Sequence, residues 1–522
     1  MDIVKTLLAN RGLKTKAQIE QFFHPIPPVD LKTPFDSKPA IQLIKAHIKK
    51  GHQIAIYGDY DVDGICSTAI AWETLYSVYK NVFPHIPHRE SEGYGLSTKG
   101  IDHCLEQGAK LIIAVDNGIV AYDQVAYCRK RKCDIIIIDH HETGSKKLTA
   151  NCILHSTSSC AAGLTWLFCR DYVLSCHPER SRGIPPLASL GRDDKLELVA
   201  IATVCDIVPL LGPNRSFAKY GLEELHRTTR PGLQALFVEA GIKDAIGPYE
   251  VGFIIGPRLN AAGRLEHAID SLRLLCTKDP KRAQQLAASI GQTNRDRQDA
   301  TLSAVTHALS AVTTTDLIIA ADKSYHQGVI GLVAAKLVEK YHRPAIAISI
   351  GELESKGSAR SIPGFHITDH LRTAEKLLVN IGGHAMAAGF TVENSQLEIL
   401  ISKLTSIKID PKLLVKTQRV DAVVPLSTIN YKLSTKLKAF EPFGLGNPTP
   451  IFKSSHLSIS DSKSVGQTGK HLKFKVGELE AIYFNAPKLP SNPVDLVYSL
   501  EENTWNGQTK LQLLIKDVQP SS

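Results

Sequence analysis

The chain has 522 residues, too many for one ordinary domain of ~100–200 residues and enough for about three. Hydrophobic residues at 43% and charged residues at 22% exclude a largely disordered or fibrous protein, and no apolar run reaches the ~18–20 residues that span a bilayer. The net charge of +9 agrees with a polyanionic partner without demanding one.

The first informative run is Gln53 to Tyr57 (QIAIY), which ends in Gly58 and a cluster of acids before a helical stretch from Ile65 to Tyr79. The same order of strand, loop and helix returns at Leu111 to Val115, followed by Asp116-Asn117-Gly118, and at Asp134 to Ile138, followed by Asp139-His140-His141-Glu142. Short β-branched runs alternating with helices predict a parallel sheet covered on both faces. Cys176 to Lys195 is rich in Pro, Arg, Ser and Asp without a period and reads as a surface loop or insertion, 176–195. Leu196 to Val204 is helical in pattern and delivers Cys205-Asp206-Ile207-Val208-Pro209 into a loop. Lys281 to Leu309 has few breakers, so a helix of up to ~40 Å can connect two domains, with Gly291 as its weak point.

A second α/β unit follows. It comprises strand Asp316 to Ala320, helix Val329 to Tyr341, strand Ala345 to Ser349 and a strand around Ser358 to Ser361. A helix from Thr368 to Leu378 and Gly382-Gly383-His384 then precede strand Gly389 to Val392. After about Pro411 the pattern alternates: His471 to Val476, Glu480 to Phe484 and Val494 to Leu500 read as strands. An Asn506-Gly507 hairpin turn leads into Lys510 to Val518. A small terminal barrel or sandwich is expected. The ten cysteines contain no CxxC pair and read as reduced thiols of a cytoplasmic protein, and the first residues, MDIVKTLLANRGLKTKAQ, lack the apolar core of a secretion signal.

Three strand-like runs end in acids or histidines: Asp59, Asp61 and Asp63 after the first, Asp116 after the second, and Asp139, His140 and His141 after the third. In an open parallel sheet the carboxyl ends of the strands form the ligand crevice, where these groups would converge. Asp206 is a further contributor. Carboxylates this close repel one another and raise each other's pKa, a conflict that a divalent metal relieves. Oxygen ligands with one or two imidazoles suit Mn²⁺ or Mg²⁺. Two such ions sharing a carboxylate would activate water and clamp a phosphoryl group, so phosphoester or phosphoanhydride hydrolysis is the expected reaction. Asp59-Tyr60-Asp61-Val62-Asp63-Gly64 also matches half of a calcium loop, but Ile70 stands where that loop needs a bidentate Glu. Asp59 and Asp139 are expected to orient their neighbours rather than to bind metal.

The runs DYDVDG (59–64), VDNG (115–118), DHH (139–141) and CDIVPL (205–210) resemble the ordered motifs of the DHH phosphoesterase superfamily. Within it, GPRLNAAGR (256–264), HQGVIGLVAAKL (326–337), GSARSIPGFHI (357–367), GGHAMAAGF (382–390) and EPFGLGNPTPIF (441–452) resemble the RecJ family of single-stranded-DNA-specific exonucleases. The resemblance implies an α/β architecture with an N-terminal segment (1–50), a parallel-sheet DHH catalytic domain (51–225) and a helical connector with a long helix (226–312). A second α/β, DHH-associated domain (313–410) and an all-β OB-fold (411–522) complete it. It implies Asp61, Asp63, Asp116, His140 and Asp206 as ligands of two Mn²⁺ or Mg²⁺ ions, with Asp116 bridging, and His141 facing the scissile phosphate. Arg89, Ser358 and Arg360 resemble a pocket for a 5′ phosphate, with His384 close to phosphate, and Arg258, Asn260 and Arg264 are expected to contact the strand.

Two positions depart from the pattern. Tyr57 stands where related pyrophosphatases place a metal-binding His, which implies one more weakly held ion, and Tyr325 stands where the family often has Trp. Gly328 and Gly331 read as tight helix packing. The function implied is metal-dependent 5′ to 3′ exonuclease action on single-stranded DNA that releases 5′ mononucleotides in repair and recombination. A single-strand-binding protein and a helicase are the implied partners of a monomer with no membrane association. The alternatives are an oligoribonuclease, cyclic-dinucleotide phosphodiesterase or pyrophosphatase of the superfamily, and an inactive nucleic-acid-binding replication partner.

Overall fold

The computed structural model describes residues 2–521 apart from 90, 94, 177–194, 244, 467–468, 487–488 and 506–507. The expected 176–195 loop and the Asn506-Gly507 turn therefore lie outside the described residues, except for Cys176 and Lys195. The described residues form two compact units, one made of 1–256 together with 419–522 and the other of 257–418.

The first unit opens its catalytic half with five strands, β1 (Gln53–Tyr57), β2 (Val82–His85), β3 (Ala109–Val115), β4 (Asp134–Asp139) and β5 (Cys152–His155). All pair in parallel in the order β2-β1-β3-β4-β5. Ile54, Ile56, Leu111, Ile113, Ile136 and Ile138 are buried together with Ala55, Ile112, Ile135 and Ile137 on the opposite side, so both sheet faces are covered. This accounts for the continuous rather than alternating apolar runs. The edge strands β2 and β5 have no such run. Because β1 sits between β2 and β3, the chain reverses direction across the sheet at the β1/β3 junction. In open parallel sheets such a junction, at the carboxyl ends of the strands, is the usual place for a ligand crevice.

The second unit holds β6 (Ile318–Asp322), β7 (Ala345–Ile350), β8 (Glu354–Arg360), β9 (Leu378–His384) and β10 (Ala387–Glu393), ordered β6-β7-β8-β10-β9. Only β6 and β7 pair in parallel. The long helix runs Pro280–Ala311 inside this unit, and Ala304 and Ala308 join the core of Ile318, Val333 and Leu337. The expected helix from Thr368 to Leu378 stops at Arg372, and a 3₁₀ turn (Glu375–Leu377) leads into β9. Gly382 and Gly383 lie within β9, directly ahead of β10. Gly383 has φ +143°, and a Cβ there would come within 2.5 Å of Ala388 Cα, so close backbone approach in the β9–β10 hairpin requires this glycine.

The remainder of the first unit is β-rich: β11 (Ala422–Val423), β12 (Phe452–Leu457), β13 (Ile459–Val465), β14 (His471–Val476), β15 (Leu479–Tyr483), β16 (Val494–Trp505) and β17 (Gln508–Pro520). They form one sheet, ordered β11-β12-β16-β17-β15-β14-β13. Its core includes Ile3, Leu7, Leu8 and Phe22 from the N-terminal helices (Ile3–Asn10 and Lys16–Phe23), so the two ends of the chain share one apolar cluster.

Candidate metal centre

β1 ends at Tyr57, and the following turn starts the helix Val62–Val78, whose N-cap is Asp61, its carboxylate accepting from Gly64 N at 3.0 Å. Gly64 lies so close to Asp59 that a Cβ would stand 2.6 Å from Asp59 N, which folds the acidic turn back on itself. Asp63, on the first turn of that helix, is buried and receives the Ala161 and Ala162 amides at 2.7 Å each from the N-terminus of the helix Ala161–Cys176. These two donors point positive dipole ends at a carboxylate. Asp116 follows β3 at φ 63°, a left-handed conformation that Asp tolerates better than branched residues, and its amide donates to Ile138 O of β4. Asp206 caps the helix Leu196–Cys205.

These groups converge. His140 Nε2 lies 3.4 Å from Asp116, 3.6 Å from Asp206 and 3.7 Å from Asp63. One donor atom from each of Asp116, His140 and His141 falls within 4.8 Å of the others, and the same holds for Asp63, His140 and Asp206, and for Asp59, Asp61 and Asp116. Asp59, expected to orient its neighbours, thus takes a place among the potential ligands. Asp139 holds its neighbours from below: it accepts from His140 N (2.7 Å), His141 N (3.2 Å) and Ile119 N (2.9 Å), and it lies 2.7 Å from His141 Nδ1.

The electrostatics follow from burial and crowding. Burial, with Asp61 next to it, pushes Asp63 up to about 7, and burial with Asp63 and Asp61 pushes Asp206 up to about 8. Asp116 is raised by burial and by the carboxylates of Asp63, Asp61, Asp59 and Asp139. Burial opposes charge on both imidazoles. It lowers His140 to about 4 alongside the charge of His141, whereas at His141 the Asp139 carboxylate outweighs burial and raises the ring to about 9. Oδ1 of Asp116 and Oδ2 of Asp206 are buried without a hydrogen-bond partner. Buried oxygens of that kind, crowded by like charge and faced by a neutral imidazole, fit a divalent cation.

Tyr57 takes no part in this set. Its ring is fully buried, and its hydroxyl donates to Gly95 O at 3.1 Å, tying down the segment that carries Arg89. Glu92, 2.9 Å from His85 Nε2 and accepting from His88 N at 3.1 Å, shapes the same segment. The Arg89 guanidinium stands 5.5 Å over the Tyr60 ring, one residue from Asp59 and Asp61. The other expected phosphate and strand residues lie in the second unit and group there. Ser358 and Arg360 project from the same face of β8, with Arg360 donating to Ser358 Oγ at 3.1 Å. Ala387 pairs with both Arg360 and His384, which puts His384 in line with Arg360 across the sheet. Gly331 leaves room for them, since a Cβ would stand 2.8 Å from the Arg360 guanidinium and 3.1 Å from Ser358 Oγ. Gly328 packs against the Arg264 carbonyl. Arg258, Asn260 and Arg264 share the helix Gly256–Leu265, and Arg264 donates to Gly328 O at 3.3 Å.

Three contributors escape the sequence pattern. The Ala161 and Ala162 amides act through backbone, which no residue type announces. His155, whose Nε2 lies 2.8 Å from His141 O, sits at the end of the edge strand β5, outside any apolar run. Arg297, on the long helix, lies near enough to Arg258 that burial and the Arg258 charge lower its pKa.

The chain has relatives of known name. A protein from Bacillus subtilis (strain 168), "Single-stranded-DNA-specific exonuclease RecJ", is 34% identical over 538 residues, which cover 99% of this chain and 68% of the relative. The protein of the same name from Escherichia coli (strain K12) is 30% identical over 565 residues, covering 99% of this chain and 96% of the relative. The chain belongs to the RecJ family. Family models described as the DHH family N-terminal domain, the DHHA1 domain and the RecJ OB domain match residues 53–201, 314–408 and 420–517. A crystal structure of RecJ from Thermus thermophilus in complex with Mn²⁺ superposes with a TM-score of 0.85 at 27% identity, covering 100% of this chain and 76% of that one. The RecJ architecture is thus present here: a parallel-sheet DHH domain, a helical region, a second α/β domain and a C-terminal OB domain. Among the described residues, no helix is long and apolar enough to cross a membrane.

Proposed function

We propose that the chain is a metal-dependent exonuclease that degrades single-stranded DNA from its 5′ end and releases 5′ mononucleotides, in DNA repair and recombination. The observation that carries this reading is the convergence of Asp63, Asp116, His140 and Asp206 at the sheet's switch point with buried, partnerless carboxylate oxygens. The relatives' names point to single-stranded DNA as the substrate, and Mn²⁺ or Mg²⁺ accompanies the Thermus RecJ structures. Asp61, Asp63, Asp116, His140 and Asp206 would hold two ions, with Asp59 an added oxygen donor. Such ions supply Lewis acidity to water and to a phosphoryl oxygen. The chain's own groups do the rest. The Ala161 and Ala162 amides fix Asp63, Asp139 fixes both histidines, and a charged His141 stabilises negative charge developing on the phosphoryl group. By the resemblance, Arg89 in the first unit and Ser358 and Arg360 in the second would each offer charge-assisted hydrogen bonds to a terminal phosphate, and His384, Arg258, Asn260 and Arg264 would contact the strand.

The finer parts of this reading rest on the resemblance: partnership with a single-strand-binding protein and a helicase, a monomer, a cytoplasmic location, and domain limits at 50, 225, 312 and 410. The test is a gel time course with Mn²⁺ on single strands blocked at the 5′ or the 3′ end, with duplex DNA and a cyclic dinucleotide alongside. Degradation stopped only by the 5′ block, with duplex spared, is expected. Turnover of the dinucleotide alone would move the chain to the small-molecule branch of the superfamily. Asp116→Ala should abolish hydrolysis while strand binding in EDTA persists, and normal turnover by that variant would remove the metal assignment.

A further inference from the structure

Beside the metal centre, one group of side chains has no part in the chemistry above. The π-helical turn Glu250–Ile255 carries Phe253 and follows Tyr249. Tyr249 and Phe253 are 64% and 71% exposed, yet their rings stack on each other with centroids 5.1 Å apart and planes 27° from parallel. π turns are rare and concentrate at functional sites, and large aromatic faces left in water mark binding surfaces. The turn is anchored at the metal side. The Cys205 thiol reaches Val251 O at 3.8 Å, and a Cβ at Gly256 would collide with Cys205 Sγ.

Cys205 precedes the metal-site residue Asp206, and Ile207 follows it at φ 55° and 68% exposed. A branched side chain in the left-handed region is a strained placement of the kind that clusters at ligand sites. Ile207, Tyr249, Phe253 and Leu445 line one cavity of about 1120 Å³. Its two lysines, Lys219 and Lys438, are matched by Glu250 and Glu441, and both are engaged: Lys219 donates to Phe23 O at 3.0 Å and Lys438 to Glu502 at 2.6 Å. The lining is therefore close to neutral. Among the described residues, the lining beyond these two engaged lysines holds no further Lys or Arg, only His226, and it suits a flat, uncharged ring.

Resting on the exonuclease reading, we propose that the Tyr249–Phe253 pair is a stacking platform for a nucleobase of the single-stranded substrate, with Ile207 as its apolar edge. A base presents a π face whatever its identity, so the platform holds the strand without reading sequence. It also acts without charge, unlike the arginines assigned to phosphates.

The test uses the full chain in EDTA and measures binding of a short 5′-phosphorylated strand and of an abasic strand of equal length. Tyr249→Ala combined with Phe253→Ala should weaken binding of the base-bearing strand by about 5- to 100-fold, the range for losing one stacked base. Abasic binding and the slope of affinity against salt should stay unchanged. Phe253→Trp covers the case of a misfolded double variant: its added indole emission should be quenched by the base-bearing strand and not by the abasic one. Equal losses on both strands, no loss, or no quenching would overturn the platform. Equal losses would leave the patch as packing, and no loss as a surface for an apolar protein segment. Wild-type chain that leaves single-stranded DNA intact would instead overturn the exonuclease reading, so the two failures are distinguishable.

Discussion

Four donors converge on the Asp139 carboxylate: the backbone amides of Ile119, His140 and His141, and the His141 ring. Burial alone would raise this carboxyl, yet the bond to His141, the charge of that ring and the bonds from Ile119 and His141 N hold it below its ordinary value. Its ionised oxygens fix the main chain that presents His140, keep the His141 proton on Nδ1, and favour an imidazolium. Asp139→Asn preserves the shape but turns one acceptor into a donor that faces other donors. We expect kcat to fall by about 10- to 100-fold, the usual cost of removing the group that orients metal-site histidines, with single-strand affinity unchanged. Steady-state kinetics beside binding in EDTA would check it, and an undiminished kcat would leave Asp139 a fold residue only. Tyr57 carries the opposite lesson. It stands where the resemblance to related pyrophosphatases leads one to expect a metal-binding histidine, and its buried hydroxyl instead donates to Gly95 O in the segment that carries Arg89.

The sheet elements decide what is legible in the sequence. β1, β3 and β4 are buried on both faces, and only such strands read as unbroken runs like QIAIY and DIIIID. Their ends could therefore be placed, and with them the acids and histidines. β2 and β5, edge strands of four residues each, carry no comparable run, so the strand order that makes the β1/β3 junction a switch point was not legible. The early stop at Arg372 was hidden for a similar reason: Lys376 to Leu378 suits a helix locally, and pairing with β10 claims the chain from Leu378 onward. Neighbouring elements also decide the role of Gly331. It starts the helix Ile330–Tyr341, but its missing side chain matters to β8, where Arg360 and Ser358 occupy the space. Gly331→Ala needs no unusual φ, so the helix should form and Arg360 should be displaced by a few tenths of an ångström. The expected result is a higher KM for 5′-phosphorylated than for 5′-hydroxyl strands, with kcat nearly unchanged. Arg360→Ala should reproduce it more strongly, and equal effects on both strands would take this pair out of the phosphate pocket.

Chain ends far apart in sequence close the first unit. The buried Arg215 guanidinium stacks 3.8 Å over Phe22 and donates to the carbonyls of Phe22, Phe440 and Glu441, joining the N-terminal helices to the residues before β12. Arg11 donates to Asn447 Oδ1 at 2.6 Å in the same region. That cooperation makes the stability of the whole unit a reporter for its most strained feature, the crowded carboxylates. Without a metal, burial and the neighbouring carboxylates push Asp63 up to about 7 and Asp206 up to about 8, against about 4 for an unfolded Asp. Between those values the folded chain retains protons that the unfolded chain has released. Stability is then fully present below about pH 4 as far as these groups are concerned, and it declines as the pH rises through 7 to 8. A divalent ion bound by the deprotonated oxygens removes the repulsion, so its stabilising effect grows with pH. We expect the melting temperature in EDTA to fall from about pH 5.5 to about pH 8, and added Mn²⁺ to raise it more at the higher pH. Asp206→Asn, which deletes one of the crowded charges, should flatten the EDTA curve and reduce the Mn²⁺ increment. Differential scanning fluorimetry across this range checks both, and an Mn²⁺ increment that ignores pH would mean that the ion binds elsewhere.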